Sequence, residues 1–246
     1  MLVSRVQSSG PPHESQSADR LKVTDPLMIG PGDALYRSVD YYTGVRRDVA
    51  SMIPEGVRSV LEVGCAAGGT GAFLRERGVT RLIGVELNPT LAESAREHYT
   101  QLLIGDVEEI DLSHIPRESL DCILYPDVLE HLRDPWQTLR RHLKFLRPGG
   151  FLVASIPNIR YYKAVRDLVL KGRWDYREAG ILDVGHLRFF TLSSINKLFT
   201  ENGLDVVELR SNARGSTLLK LLNRVALNRL QPFLVKQYLV CGRKVG

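Results

Sequence analysis

The amino-acid sequence predicts an α/β fold organised around a doubly wound, mostly parallel β-sheet. Short apolar runs alternate with segments of helical spacing, which is the pattern of repeated βαβ units. A glycine-rich turn follows the first apolar run, and several of the later runs end in an acidic residue. Because ligands bind beyond the carboxyl ends of parallel strands, these residues predict a binding site at that edge of the sheet.

The composition is typical of a globular protein. Of the 246 residues, 43% are hydrophobic and 25% are charged, which is enough apolar material for one well-buried domain. The net charge of +5 suits an anionic acceptor or surface but is too modest to predict nucleic-acid binding. Cys65, Cys122 and Cys241 lack metal-ligand spacing and are expected to be reduced, buried thiols of a cytoplasmic protein. No apolar run reaches the roughly 18 residues of a membrane span, and the N-terminus lacks a signal-peptide core.

The N-terminal region is predicted in two parts. Residues 1–25 are polar and rich in serine and proline, so we expect a disordered tail followed by one domain over residues 26–246. Residues 33–53 have helical spacing up to Pro54. This helix would lie over the glycine-rich turn. The alternative is a helix that only packs on the domain and exposes its basic edge to solvent. The side chains that would reach the turn are Tyr36, Tyr41, Tyr42 and Arg46.

The glycine-rich turn lies within the run VLEVGCAAGGTG, which begins at Val60. Its first four residues are predicted as the end of a buried strand, and a helix begins at about Thr70. Gly64 would leave room for a ligand, whereas Gly68 and Gly69 would let the helix approach the strand closely. Strand, turn and helix N-terminus together would expose bare backbone to a ligand.

Two classes of cofactor use such a turn. A dinucleotide site has the pattern G-x-G-x-x-G, but this chain has Gly64-x-Ala66-x-x-Gly69 and lacks the middle glycine. Glu62, two residues before the first glycine, suits S-adenosylmethionine (SAM), which has no pyrophosphate and carries a cationic sulfonium and an amino group. An ordinary strand-to-helix turn without a ligand is the alternative.

The rest of the pattern repeats strand and helix. The predicted strands after the first are residues 81–86, 101–105, 120–125 and 151–156. The predicted helices between them are residues 89–99 and 135–146. Asn88 is a suitable N-cap for the first of these helices, and the run RPGG at residues 147–150 is expected to stop the second.

Acidic residues at the ends of two strands suit a nucleoside. Glu86 ends the second strand, where a carboxylate can accept two hydrogen bonds from ribose hydroxyls, although a solvent-facing helix cap is the alternative. Asp106 follows the third strand and can accept a hydrogen bond from an adenine amino group. The amide of the next residue, Val107, would then serve a ring nitrogen.

Taken together, these motifs resemble the class I SAM-dependent methyltransferases. The resemblance covers about residues 57–158 through VLEVGCAAGG, GVELNP, GDVEEI, LDCILYPDVLEHLRDP and LRPGGFLVASIPN. Residues 206–210 and 238–244 resemble the last two strands of that fold. The resemblance thus implies a seven-stranded, Rossmann-like sheet whose last strand runs antiparallel beside the fifth. Residues 154–191 resemble a bacterial subgroup associated with polysaccharide and glycan synthesis.

The resemblance also implies SAM as the cofactor and a set of contacts to it. The methionine moiety would lie against Glu62, Gly64 and Gly68. The ribose would bind Glu86, and the adenine would bind Asp106 and Val107. Asp127 would lie near the methionine end or the transferred methyl group. The remaining expected cofactor contacts are Tyr42, Arg46, Cys65 and Leu87. The chain departs from the family at Ala66, where glycine is usual, and this departure bears on cofactor affinity more than on identity.

Transfer of a methyl group to a hydroxyl requires a base, because the hydroxyl must lose its proton. Two histidines are candidates: His131 follows the fourth predicted strand, and His186 lies in the segment after the fifth. Asp127 is a further catalytic candidate. Each histidine could instead be structural, as a loop cap or by binding backbone in a turn. Glu130 and His131 with Asp134 form no compact ligand set, so no metal is expected.

The insertion at residues 157–191 is expected to bind and cap the acceptor. It holds seven Lys or Arg residues and four Asp or Glu residues, interleaved with aromatic residues that can stack on a sugar ring. The candidate acceptor contacts are Asn158, Arg160, Tyr161, Tyr162, Trp174 and Arg188. The alternative is a helix over residues 159–171, stopped by Gly172, that packs its aromatic side chains on the core.

The predicted function is O-methylation of a sugar, a glycan or a similar small hydroxyl acceptor. Within enzymes, an aromatic hydroxyl or a sugar amine is the alternative acceptor. A SAM-binding scaffold without turnover is also consistent with the motifs, whereas an NAD-dependent oxidoreductase is disfavoured by Ala66. Residues 216–233 are predicted as a basic amphipathic helix that packs on the sheet, with a membrane surface or a second subunit of a homodimer as alternatives.

Overall fold

One sheet runs through residues 44–213 and 223–246, the part of the chain that the computed structural model describes. Its strands are β1 (Ser59–Val63), β2 (Arg81–Glu86), β3 (Gln101–Ile104), β4 (Leu120–Pro126), β5 (Leu146–Pro157), β6 (Leu204–Ala213) and β7 (Val235–Lys244). The seven strands lie in the order β3-β2-β1-β4-β5-β7-β6. Neighbours among β1 to β5 are parallel, whereas β7 lies antiparallel between β5 and β6. The mostly parallel sheet with an antiparallel last strand, predicted from the sequence, is confirmed.

Helices connect the strands. They are α1 (Arg47–Ala50), α2 (Gly69–Glu76), α3 (Pro89–Ala95), α4 (Pro135–Leu143), α5 (Tyr162–Lys171), α6 (Leu192–Thr200) and α7 (Gln231–Leu234). The side chain of Asn88 accepts hydrogen bonds from the amides of Thr90 (2.9 Å) and Leu91 (3.2 Å), which confirms the predicted N-cap of α3. Gly172 ends α5 with a left-handed backbone (φ 61°), as glycine at a helix C-terminus commonly does.

The helix predicted over residues 33–53 is much shorter where the structure describes it. Residues 33–43, with Tyr36, Tyr41 and Tyr42, lie outside the described residues, as does the predicted tail. Of residues 44–53, only α1 is helical. Arg46 just before it is non-helical (φ −82°, ψ 61°), and its amide nitrogen donates a hydrogen bond to Oγ1 of Thr70 (3.1 Å). This long-range bond fixes the chain next to the glycine-rich turn and outweighs the local helical spacing.

The prediction that the fourth helix continues to residue 146 is wrong. The helix α4 ends at Leu143, and β5 begins at Leu146 and continues through the RPGG run. Leu146 is fully buried and pairs with Leu120 of β4, ahead of a bulge in the register. Pairing in the sheet therefore decides the conformation of residues that the sequence pattern placed in a helix and a turn.

The prediction of a single helix over residues 216–233 is also wrong for the residues of this range that the structure describes. Residues 216–222 lie outside the described part of the chain. Leu227 and Asn228 have left-handed backbone conformations (φ 50° and 63°), which L-residues adopt at the ends of helices rather than within them. The chain turns here, and only the short α7 follows before β7.

Apolar layers cover both faces of the sheet. In β1, Leu61 and Val63 belong to one buried cluster and Val60 to the other, because successive side chains point to opposite faces. With both faces covered, a ligand can approach the parallel strands at their ends. Within residues 44–213 and 223–246, every helix is too short or too polar to span a bilayer.

Candidate active site

The turn after β1 is tightly folded. Gly64 and Gly68 have left-handed backbone conformations (φ 73° and 86°), and Ala66 between them shares that conformation (φ 48°). A Cβ atom on Gly64 would lie 2.6 Å from Cγ2 of Val128, and one on Gly68 would lie 2.9 Å from Cα of Ala95. Close packing against Val128 after β4 and against the end of α3 therefore requires glycine at these two positions, whether or not a ligand also requires it.

Glu86 at the end of β2 holds the turn in place. Its Oε2 accepts a hydrogen bond from the amide of Ala66 (2.8 Å), and its Oε1 accepts one from the amide of Asn88 (2.9 Å). Burial raises the pKa of the Glu86 carboxyl, and these amides oppose that shift. Each carboxylate oxygen can accept a further hydrogen bond, so the contacts leave room for the predicted ribose hydroxyls.

Glu62 is almost completely buried beneath the turn. Its Oε2 accepts a hydrogen bond from the hydroxyl of Tyr99 (2.7 Å). Burial raises the pKa of Glu62 to about 8, opposed by the Tyr99 hydrogen bond and increased further by the charge of Glu86. A cation placed against this carboxyl would favour its ionised form. The sequence did not indicate Tyr99, although its ring packs against two glycines: a Cβ atom would lie 2.5 Å from it at Gly71 and 2.8 Å from it at Gly84.

Two adjoining cavities follow the carboxyl ends of the strands and meet at Gly64. We name them after the moieties that the sequence predicts there. The methionine cavity, of about 350 Å³, is lined by Gly44, Val45, Arg46, Glu62, Gly64, Cys65, Ala66, Thr70, Pro126 and Asp127. The adenosine cavity has a volume of about 400 Å³. The predicted cofactor residues that line it are Gly64, Glu86, Leu87, Asp106 and Val107. Together the cavities fall in the size range of cofactor sites. Gly68 lines neither cavity and instead packs against α3.

Arg133 covers the outer edge of the adenosine cavity. Its guanidinium donates to Oδ2 of Asp106 (2.9 Å) and to the carboxylates of Glu108 (3.1 Å) and Glu109 (2.8 Å). Oδ1 of Asp106 accepts from the amide of Glu108 (2.8 Å). Arg133 was not among the predicted residues, because nothing in the local sequence connects it to the loop after β3.

Asp127 after β4 joins four segments of the chain. Its carboxylate accepts hydrogen bonds from the hydroxyl of Ser155 (2.8 Å), from Nη1 of Arg46 and from Nε2 of Gln237. Its amide donates to the same serine hydroxyl (2.9 Å). Three donors on one carboxylate, including an arginine, favour a positioning role for Asp127 over proton transfer. Arg46 thereby lines the methionine cavity, which agrees with the first of the two placements that the sequence left open; its contact with the cofactor stays a prediction.

The two predicted histidines lie side by side. Their rings meet edge to face with centroids 4.7 Å apart. Nδ1 of His131 lies 2.9 Å from the carbonyl oxygen of Gly185, and Nδ1 of His186 lies 2.9 Å from that of Ile181. Because a carbonyl oxygen only accepts, each Nδ1 carries the proton, and the neutral ring has its lone pair on Nε2.

Glu130 completes a cluster with these histidines. Oε1 of Glu130 lies 4.0 Å from Nε2 of His186, and one ligand atom from each of the three side chains lies within 4.8 Å of the others. This corrects the expectation that no compact ligand set exists here. Asp134, the third residue considered in the sequence, instead caps α4 by accepting from the amide of Gln137 (2.9 Å).

The cluster faces a cavity of about 240 Å³, which we name the acceptor cavity after the acceptor predicted from the sequence. Its lining is Asp127, Glu130, His131, Pro157, Ala179, Gly180, Ile181, His186, Lys236 and Gln237. Asp127 also lines the methionine cavity, and His131 also lines the adenosine cavity. Beyond Lys236 a further cavity of about 280 Å³ continues between α5 and residues 177–182. Lys236 and Gln237 come from β7, and the sequence did not indicate them.

Most of the predicted acceptor contacts have structural partners instead. Tyr161 lines the further cavity. Asn158 is fully buried and donates to the carbonyl oxygens of Pro232 and Val235 (2.8 Å each). The other four line neither cavity. The guanidinium of Arg160 lies over the ring of Phe233, and Arg188 donates to the carbonyl of Arg133. Tyr162 meets Tyr161 edge to face, and Trp174 meets Phe189 in the same way. For these residues the packing alternative describes the structure better.

The seven-stranded sheet, with its glycine-rich turn after β1 and cavities at the carboxyl ends of the parallel strands, is that of a class I SAM-dependent methyltransferase. Residues 39–209 match the model of a methyltransferase-domain family, and the chain belongs to that family. S-adenosylmethionine is accordingly its cofactor. The matched range includes β1 to β5 with every cavity-lining residue of the cofactor site that the structure describes.

Two curated relatives and one solved structure illustrate the match. A "probable S-adenosylmethionine-dependent methyltransferase" of Mycolicibacterium smegmatis is 34% identical over 115 residues, 46% of this chain and 43% of that protein. A ubiquinone biosynthesis O-methyltransferase of Coxiella burnetii is 28% identical over 134 residues, 49% of this chain and 56% of that protein. The chain therefore spans about half the length of these relatives.

The solved structure is a SAM-dependent methyltransferase from Archaeoglobus fulgidus. It superposes with a TM-score of 0.61 at 17% identity, over 83% of this chain and 97% of that one. At this identity the likeness shows the fold alone.

Proposed function

We propose that the chain transfers the methyl group of SAM to a hydroxyl of a small acceptor, with a sugar or glycan as the first candidate. The observation that carries this proposal is the junction of the cavities. Asp127 lines both the methionine and the acceptor cavity, and His131 lines both the adenosine and the acceptor cavity. A hydroxyl bound in the acceptor cavity would therefore face the methionine end of the cofactor.

The reaction requires little more than placement and the loss of one proton. Bound SAM would supply an electrophilic methyl group. The acceptor oxygen would bond to the methyl carbon as the carbon–sulfur bond breaks, and the electron pair of that bond would stay on the sulfur of S-adenosylhomocysteine. Holding the oxygen in line with that bond supplies much of the rate. The oxygen must also release its proton, and the neighbouring groups suited to this are the clustered side chains Glu130, His131 and His186.

Of the two histidines, His131 is the better placed to act on the acceptor. It lines two of the cavities and is half-buried, whereas the side chain of His186 is only 6% exposed. In the neutral ring, the lone pair of Nε2 can take the acceptor proton directly. His186 and Glu130 then fix the environment of His131.

Support for a polar, hydroxylated acceptor comes from the lining of the acceptor cavity. Its hydrogen-bonding side chains include Glu130, Lys236 and Gln237, which suit a molecule with several hydroxyl groups. An aromatic hydroxyl is the second candidate. The name of the Coxiella relative, an O-methyltransferase, supports transfer to oxygen in either case. A homodimer and a cytoplasmic location stay predictions from the sequence.

The test is a methyltransfer assay with radiolabelled SAM over a panel of acceptors. The panel contains free sugars, nucleotide-sugars, short glycans, catechols and amino sugars. We expect label in an O-methyl ether of one hydroxyl acceptor and S-adenosylhomocysteine in equal amount. SAM binding by calorimetry without turnover on any acceptor would instead support a non-catalytic scaffold. Label found only on amino sugars would move the proposal from oxygen to nitrogen.

A further inference from the structure

We propose that Glu130, His131 and His186 bind a divalent transition-metal ion in the wall of the acceptor cavity. Their ligand atoms lie within 4.8 Å of one another, with Oε1 of Glu130 and Nε2 of His186 4.0 Å apart. Metal–ligand bonds of about 2.1 Å place neighbouring ligand atoms about 3–3.5 Å apart. The three ligand atoms are therefore somewhat farther apart than in an occupied site, and small movements of these side chains would close the set around an ion.

The second nitrogen of each histidine ring is held as it is in metal sites. Nδ1 of His131 donates to the carbonyl oxygen of Gly185 and Nδ1 of His186 donates to that of Ile181, each at 2.9 Å. Histidines that bind metals almost always donate their other ring N–H to a carbonyl or carboxylate, which fixes the tautomer and aims the ring. Both imidazoles therefore present the lone pair of Nε2 as a ligand.

Backbone contacts bring the distant ligands together and keep them there. The amides of Leu187 and Arg188 both donate to the carbonyl oxygen of Glu130, at 2.8 and 2.9 Å. A Cβ atom on Gly185 would lie 3.0 Å from Nδ1 of His131, so glycine allows the close approach of the two segments. Little rearrangement is thus needed when an ion binds.

The donor set indicates the class of ion. Two imidazoles and one carboxylate suit Mn²⁺, Fe²⁺, Co²⁺ or Zn²⁺, whereas Mg²⁺ and Ca²⁺ prefer oxygen ligands alone. Three protein ligands leave at least one coordination position, as catalytic metal sites do. The cavity lined by the same three side chains is where that position would open.

A bound ion would change how the acceptor loses its proton. A hydroxyl coordinated to a divalent ion has a lowered pKa and releases its proton to solvent water. His131 would then act as a ligand and not as the base. This consequence rests on the proposed methyl transfer, whereas binding of the ion does not.

The test measures binding of Mn²⁺ to the untagged full chain after treatment with a chelator, by electron paramagnetic resonance. We expect one saturable site in the wild type. Glu130→Gln, His131→Gln and His186→Gln should each weaken Mn²⁺ binding by at least about tenfold. The matched control is His114→Gln, because His114 is an exposed histidine in a loop away from the cluster and its loss should change nothing.

Calorimetry with SAM on the same samples separates the outcomes. A variant that still binds SAM is folded, so its loss of Mn²⁺ binding is due to the missing ligand. His131→Gln is the variant least expected to misfold, because His131 is the least buried of the three residues. Absence of a saturable site in the wild type, or equal binding by the cluster variants and the control, would overturn the proposal. Mn²⁺ binding by a chain that methylates nothing would uphold the site while the proposed function fails.

Discussion

The amide nitrogen of Ala66 donates a 2.8 Å hydrogen bond to Oε2 of Glu86, and this bond joins the glycine-rich turn to the end of the second strand. Alanine stands here where the family usually has glycine, yet it supplies the same amide. The backbone of Ala66 is left-handed (φ 48°), a conformation that favours glycine because a Cβ atom is strained there. The departure from the family pattern therefore affects backbone strain and leaves the hydrogen bond in place.

Replacing Ala66 with glycine should stabilise the fold. Relief of the left-handed strain is partly offset by the greater freedom of glycine in the unfolded chain, for a net gain of about 0.5–1 kcal/mol. Thermal unfolding measures the change. The matched control is Ala72→Gly within α2, which should destabilise by a similar amount because a helical alanine is lost. Equal destabilisation by both variants would contradict the strain at Ala66.

Removing the Glu86 carboxylate should weaken SAM binding by about 1.5–3 kcal/mol, the scale of a hydrogen bond to a charged group. Glu86→Ala also loses the bonds to Ala66 and Asn88, so unfolding of the variant is measured alongside its SAM affinity by calorimetry. Asp106→Ala should weaken binding less, since water can replace its single bond to the adenine. Glu55→Ala, at an exposed acid away from the cavities, is the control. Wild-type affinity in a folded Glu86→Ala would reject the ribose assignment.

SAM binding should release protons near neutral pH because of Glu62. Its pKa is raised to about 8 by burial, so the carboxyl is mostly protonated at pH 7. The raised pKa favours the folded state below the ordinary value of 4.5, and this contribution is lost as the pH rises through about 8. A cationic cofactor would pair with the carboxylate, so SAM affinity should increase with pH up to about 8 and then level off.

The proton release is measured by calorimetry in two buffers that differ in ionisation enthalpy. Close to one proton per SAM is expected from Glu62 at pH 7. Glu62→Gln removes the titrating carboxyl while keeping the shape of the side chain. The difference in proton release between wild type and variant then gives the share from Glu62, separate from that of the SAM amino group. Identical proton release in wild type and Glu62→Gln would show that Glu62 is not coupled to the cofactor.

Replacing His131 with glutamine should lower kcat by roughly 10²–10⁴-fold, the usual contribution of a general base. SAM affinity should change much less than kcat, because the proposed role of His131 is proton transfer and its side chain only contributes to the wall of the adenosine cavity. His114→Gln serves again as the exposed control. Near-wild-type kcat in both His131→Gln and His186→Gln would exclude general-base catalysis by a histidine of the cluster. Addition of Mn²⁺ to the wild type separates the two roles of His131, since the rate should rise only if the ring is a ligand.

The cofactor half of the site could be predicted from the sequence because its geometry is local. Periodicity places Glu62, Glu86 and Asp106 at the carboxyl ends of successive strands, and parallel pairing then brings those ends to one edge. The same pattern located the N-cap at Asn88. It failed at the end of α4, where pairing of Leu146 with Leu120 outweighs helical spacing.

The acceptor half was decided by tertiary structure. His186 meets Glu130 because the backbone of residues 187 and 188 binds the Glu130 carbonyl, and no local pattern encodes that contact across more than fifty positions of sequence. Asn158, predicted to touch the acceptor, is instead buried by β7 and the residues before it, since its amide satisfies two carbonyl groups there. Short-range hydrophobic periodicity indicates which segments form strands and helices. Contacts between distant segments decide which polar side chains face a cavity and which form hydrogen bonds with buried backbone groups. Only the folded chain determines those contacts.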